Sequence, residues 1–166
     1  MAQVLLGITG GISAYKIPEL IRLLIKSDIS VVPMLTERAS QFVTEKTVAV
    51  LSGNKPLTDS QSDLPDIPHL NYLKESDVMV VAPATANSIA KFAHGLADDL
   101  VSAAFLSFQG KKLIVPAMHT EMYENPITQS NIQILKDHGV FVLEPLEGEL
   151  ACGDYGKGRM VSPELI

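Results

Sequence analysis

VLLGITGGISAYKIPELIRLLIKS, residues 4–27, decides the fold. Its first part, VLLGIT (4–9), is an apolar run of strand length, and it stops at the pair Gly10-Gly11. From Ser13 onward the apolar residues Ile17, Leu20, Ile21, Leu24 and Ile25 recur at helical spacing, one face of a 3.6-residue period. The stretch therefore reads as a strand, a tight turn and a helix, the opening unit of an alternating α/β chain.

The unit repeats along the chain. ISVVPML (29–35), DVMVVAP (77–83), KLIVPAM (112–118) and GVFVLEP (139–145) are further apolar runs, each unbroken as in strands covered on both faces. Helical patterns fall at 85–94, 98–108 and 126–138. Alternation of this kind predicts one α/β domain over residues 1–166, a doubly wound parallel sheet with right-handed crossovers. In such a sheet ligands bind at the carboxyl ends of the strands. SGNKPLTDSQSDLPDIP (52–68) reads as a long polar loop, and the closing SPELI as a helix start with Ser162 at the N-cap and Pro163 at N1.

Composition narrows the function. With 166 residues, 46% of them hydrophobic, the chain has material for one substantial core. A net charge of −6 opposes general nucleic-acid binding, which relies on a basic face. No apolar run approaches a membrane span and MAQVLLGITGG carries no basic leader, so the expectation is a soluble cytoplasmic protein with no nucleic acid or membrane partner. One cysteine, Cys152, excludes an internal disulfide and a cysteine-rich zinc site; it is either a buried bystander or a working thiol. No histidine and carboxylate group has metal-ligand spacing, so no metal is expected.

The strand ends carry the candidate chemistry. After the first strand, Gly10, Gly11, Ile12 and Ser13 bring bare backbone to the start of a helix, which suits a phosphate; an ordinary cap by Ser13 is the competing reading. The spacing is not the dinucleotide fingerprint, and a mononucleotide matches better. Thr36, with Phe42 farther on, follows the second strand. Thr85, Ala86, Asn87 and Ser88 follow the third, suited to a polar ring edge or a ribityl chain, and Ala117, Met118 and His119 follow the fourth. Asp98 and Asp99 sit at a helix start, where capping explains them better than catalysis. Finally, ACGDYGKGRM places the one cysteine among three glycines, more than a simple turn needs.

GITGGISAYK, PHL, APATANSIAKFAHGLADDL, PAMHTEMYENP and ACGDYGKGRM, in that order, resemble the flavin-dependent cysteine decarboxylases nearly end to end. The resemblance implies a flavodoxin-like, Rossmann-like fold, FMN as cofactor, and a homo-oligomer, a trimer or an assembly of trimers with flavin sites at subunit interfaces. It implies Gly10 to Ser13 at the FMN phosphate, with Thr36, Phe42, the Thr85 to Ser88 stretch and Ala117 on the rest of the flavin. His69 and Cys152 are the implied catalytic residues, and His119, Met122, Ala151 and Met160 the implied substrate contacts. Residues 146–161 match a glycine-rich flap over the substrate, with Gly153, Gly156 and Gly158 free to bend. Lys16, Lys157 and Arg159 are candidates for a substrate phosphate, although solvated charges explain each of them as well.

The implied reaction is decarboxylation of 4′-phosphopantothenoylcysteine to 4′-phosphopantetheine in coenzyme A biosynthesis: thiol oxidation, loss of CO2, and reduction of the ene-thiol with Cys152 as proton donor. His69 would act at the oxidation and decarboxylation stage. Decarboxylation of a peptidyl cysteine and a regulatory flavin-binding role are the alternatives. His119 departs from the family's proline-x-methionine-asparagine pattern, and Tyr123 stands where many relatives carry tryptophan.

Overall fold

The computed structural model describes residues 2–59 and 68–166, with the side chains of 68–70 outside the description. Six strands form a parallel sheet: β1 (Gln3–Ile8), β2 (Ser30–Leu35), β3 (Leu57–Thr58), β4 (Val78–Ala84), β5 (Lys111–Pro116) and β6 (Phe141–Val142). Their order is β3-β2-β1-β4-β5-β6, so the chain reverses direction across the sheet between β1 and β4. The doubly wound α/β fold expected from the alternation is observed, in the flavodoxin-like form that the resemblance implies.

Side chains alternate between two cores along β1. Val4, Leu6 and Ile8 point to one layer with Ile17, Leu20 and Ile21 of α1 (Ile17–Lys26), and Leu5 points to the other, with Phe92, Phe105 and Leu135. That second layer is built by α4 (Ala86–His94), α5 (Leu100–Ser107) and α7 (Pro126–Asp137). Both faces being covered, the central strands need no polar positions, which is why they read as unbroken apolar runs. Gly7 lets α5 approach β1, since a Cβ there would lie 2.9 Å from Val101 Cγ1.

Helix ends follow capping chemistry. Thr85 opens α4 by accepting a bond from the Ser88 N–H at 3.2 Å, and Asp99 opens α5 with a reciprocal capping box through Ser102. The helix after β1 starts differently from its sequence reading. Residues Ile12–Lys16 form a 3-10 segment before α1, and the N-cap position belongs to Gly11, with no side-chain cap from Ser13.

Several expectations need correction. The 52–68 loop contains β3, which pairs with β2 through Met34–Leu57 and Leu35–Thr58. It lies between α2 (Glu45–Ser52) and α3 (Pro68–Glu75), neither of which the periodicity revealed. The fifth sequence strand shrinks to the two residues of β6, because Gly139 at φ 80° is still completing the end of α7. The flap is an antiparallel hairpin of β7 (Leu146–Glu149) and β8 (Tyr155–Arg159). SPELI forms a single 3-10 turn, Pro163–Leu165, and Ser162 makes no side-chain cap to it.

Candidate active site

The site grows from the strand ends beside the reversal between β1 and β4. Thr9, 1% exposed, ties these ends together: its hydroxyl donates to the Pro83 carbonyl at 2.7 Å and accepts the Thr85 N–H at 3.2 Å. Thr36 N–H donates to Ile8 O at 3.1 Å, and Ala117 N–H to Ala84 O at 3.1 Å, so the ends of β2, β1, β4 and β5 form one continuous edge. Gly10 lies flat against the neighbouring loop, where a Cβ would fall 2.3 Å from Arg38 Cβ. The result is a floor of bare backbone flanked by the hydroxyls of Ser13, Thr36, Thr85 and Ser88.

The hairpin closes the open side. Met118 N–H donates to Gly158 O at 3.0 Å, laying β8 directly on the chain that leaves β5. A Cβ at Gly158 would stand 2.2 Å from Met118 O, and one at Gly156 would stand 2.3 Å from Thr120 Oγ1. Two of the three flap glycines thus permit close docking rather than bending. Only Gly153, at φ 91° with nothing within 4 Å of its Cβ position, serves the turn itself. That turn holds Cys152, exposed and unpaired.

At the junction, His119 is the N-cap of the short helix α6 (Thr120–Glu124). Its Nδ1 accepts the Glu121 N–H at 3.4 Å, and its Nε2 lies 2.9 Å from Asp154 Oδ2. The same carboxylate oxygen accepts from Cys152 Sγ at 3.5 Å. Donor atoms of His119, Cys152 and Asp154 all lie within 4.8 Å of one another, a grouping that linear spacing conceals.

One cavity of about 1310 Å³ takes in most of the sequence candidates. Gly10, Gly11, Ile12, Ser13, Thr36, Thr85, Ala86, Asn87, Ser88, Ala117, His119, Met122, Ala151 and Cys152 all line it. Two candidates fall elsewhere. Met160 is fully buried in the core layer behind β1, leaving it no side-chain surface for a substrate; only its carbonyl faces a polar group, the Lys16 ammonium at 3.1 Å. Phe42 is 41% exposed and outside the lining, because the turn at Ala39–Gln41 carries the chain away from the β2 end before reaching it. His69 belongs by its backbone to α3, and its side chain lies outside the described residues. The sequence reading missed Thr9, the strand-end clamp, and Asp154, whose partner His119 is 35 residues away in sequence.

Some charges at the rim are committed to one another. Lys91 Nζ lies 2.7 Å from both Asp98 and Asp99, which assigns the acidic pair to capping and ion pairing. At Lys16, burial, and then the nearby Arg159 guanidinium, lower the pKa from the usual lysine range. Lys157 instead turns to Glu144 at 3.3 Å, and its ammonium lies 5.3 Å from the Tyr123 ring centre.

Glu144 is the tether between the hairpin and the α6–α7 segment. It accepts from Lys136 at 2.8 Å, from the Tyr123 hydroxyl and from Lys157, and these bonds, that from Lys136 foremost, hold its pKa at about 2. Burial and then the Glu144 carboxylate push the Tyr123 hydroxyl well above its ordinary range. A folded value below the ordinary 4.5 means the tether's contribution is complete above that pH and is lost as pH falls through about 2. Because the Glu144 side chain is 47% exposed, Glu144→Gln is expected to cost only about 1 kcal/mol in urea denaturation near neutral pH. The difference from wild type should shrink steadily below pH 4.5; a difference independent of pH would contradict the assignment.

Comparison with known proteins agrees with this geometry. A family model described as Flavoprotein matches residues 1–166. The chain belongs to the Flavoprotein family. A coenzyme A biosynthesis bifunctional protein, CoaBC, of Haemophilus influenzae is 43% identical over 99% of the chain, which spans 42% of that relative's length. A probable phosphopantothenoylcysteine decarboxylase of Streptococcus mutans is 39% identical over 99% of this chain and 94% of its own. Among solved structures, a cysteine-to-serine mutant of PPC decarboxylase complexed with pantothenoylaminoethenethiol superposes with TM-score 0.91 at 28% identity, covering 99% of this chain and 93% of that one. The FMN-binding protein AtHal3 superposes at 0.86 with 29% identity, over 99% and 91%. The motif resemblance to cysteine decarboxylases is thus matched over the whole chain.

The residues of this flavoprotein suit FMN. Gly10 and Gly11 offer bare backbone where a phosphate needs close approach, and neutral hydroxyl and amide groups of Ser13, Thr36, Thr85 and Asn87 suit a ribityl chain and a polar ring edge. The cavity volume exceeds the range typical of one drug-sized ligand, which leaves space beyond that of a single small molecule.

Proposed function

We propose that the chain binds FMN and decarboxylates 4′-phosphopantothenoylcysteine to 4′-phosphopantetheine. The observation that carries this reading is the meeting of the thiol-bearing hairpin and the strand-end floor in one cavity. FMN, when bound, supplies a reversible two-electron acceptor, the chemistry that a cysteine carboxylate needs before it can lose CO2.

The chain's own groups do the rest. Gly10 to Ser13 hold the phosphate of the cofactor, with Thr36, the Thr85 to Ser88 stretch and Ala117 along its remainder. His119, Met122 and Ala151 line the substrate side. His69 positions the substrate or takes its proton during oxidation and decarboxylation, in the range where imidazole exchanges protons readily. Cys152 would supply the proton when the ene-thiol takes back, from the reduced cofactor, the two electrons given up in the oxidation step, so the saturated product forms with no net oxidation. The assembly in this reading is a homotrimer or a group of trimers that completes the cavity at subunit contacts.

A turnover assay with mass detection tests the substrate. The expected result is a product lighter than phosphopantothenoylcysteine by one CO2. Inertness toward that compound with turnover of a peptide ending in cysteine would replace the reading with peptidyl-cysteine decarboxylation; inertness toward both would leave flavin binding without catalysis.

A further inference from the structure

We infer that His119 and Asp154 are positioning residues that hold the Cys152 thiol in place and aim it. The inference rests on the proposed reaction for its purpose, and on three contacts for its substance. A backbone N–H only donates, so the Glu121 N–H at 3.4 Å fixes Nδ1 of His119 as an acceptor. The single proton of the neutral ring then sits on Nε2, where it is donated to Asp154 Oδ2 at 2.9 Å. Asp154 Oδ2 in turn accepts the Cys152 S–H at 3.5 Å.

The two hydrogen bonds act on the carboxylate in the same direction. The bond from His119, and next the one from Cys152, lower the Asp154 pKa below the usual carboxylate range, so it remains charged. The carboxylate beside sulfur is a fixed acceptor, and it holds the S–H in one orientation at the end of the His119–Asp154–Cys152 row.

Cys152 is the only cysteine of the chain, so its alkylation is a direct readout. The FMN-loaded protein and its variants are treated with iodoacetamide at about pH 7.5, and modification is followed by mass. From the attraction or repulsion of unit charges at this range in a solvated setting, Asp154→Asn should be alkylated about fivefold faster than wild type. His119→Ala should also be faster, while His119→Gln, whose amide N–H reaches the place of Nε2, keeps the wild-type rate, a rescue that a merely structural role would not show. Glu147→Gln, which removes a charge from β7 on the same hairpin, should leave the rate unchanged. Equal rates in wild type and Asp154→Asn, or equal acceleration by Glu147→Gln, would overturn the inference.

The turnover products give a second reading. Asp154→Asn should shift the ratio of saturated product to ene-thiol toward the ene-thiol, and an unchanged ratio would count against the inference. A wild type that turns over no phosphopantothenoylcysteine would defeat the proposed substrate while leaving the alkylation result to stand or fall alone.

Discussion

Cys152→Ser is expected to lose CO2 from its substrate yet release an ene-thiol, two hydrogens lighter than the normal product. In the proposed reaction the thiol acts last, after the carbon–carbon bond has broken, so its removal would spare the earlier steps. A serine hydroxyl is a far weaker acid than a thiol, and general acid catalysis of this kind contributes about a hundredfold or more. Formation of the saturated product should fall by at least that factor, while CO2 release in the first turnover is retained. Cys152 sits in the hairpin turn and lines the same cavity as the strand ends. Mass analysis of the products decides it. Saturated product formed by the variant at the normal rate would remove Cys152 from the chemistry.

Gly158→Ala is the most damaging small change the geometry identifies. The new methyl group would stand 2.2 Å from Met118 O, a backbone atom that cannot rotate away. Either β8 lifts from the 118–120 segment and breaks the Met118 N–H to Gly158 O bond, or the chain leaving β5 shifts and carries His119 with it. Both outcomes disturb the site, and overpacking of this severity costs roughly 2–4 kcal/mol. Gly148→Ala is the matched control on the facing strand, because its Cβ would meet only the Arg159 side chain, at 3.3 Å, and that side chain can move. Urea denaturation should separate the two variants clearly, and proteolysis at the hairpin turn should accelerate only in Gly158→Ala. Equal stability of the pair would show that the hairpin is not docked as described.

Much of this architecture is legible in the sequence, and the reasons divide cleanly. β1, β2, β4 and β5 are buried on both faces, so each announces itself as an unbroken apolar run. β3 is two residues long at the sheet edge, too short to show any period. The strands of the hairpin, LEGE and YGKGR, have no apolar alternation because their packing is by glycine backbone. For that reason Gly156 and Gly158 look like hinges in the sequence and turn out to be contact points; their neighbours, Thr120 and Met118, are about forty residues distant.

The site follows the same division. Residues such as Gly10, Thr36, Thr85 and Ala117 can be found because strand ends on one edge of a parallel sheet must converge. His119, Cys152 and Asp154 converge only because the hairpin folds back onto the start of α6, across 35 residues in the case of His119 and Asp154. Met160 shows the opposite error: it adjoins the flap in sequence, yet the chain re-enters the core at that residue and buries it completely.

The central claim is that the carboxyl edge of this sheet holds FMN. The most direct measurement is the visible absorption of the purified protein, with the released chromophore identified by mass and titrated back onto the stripped chain. The account requires a yellow protein that yields FMN and takes it up again at one per chain. A colourless protein that also fails to take up added FMN would contradict it.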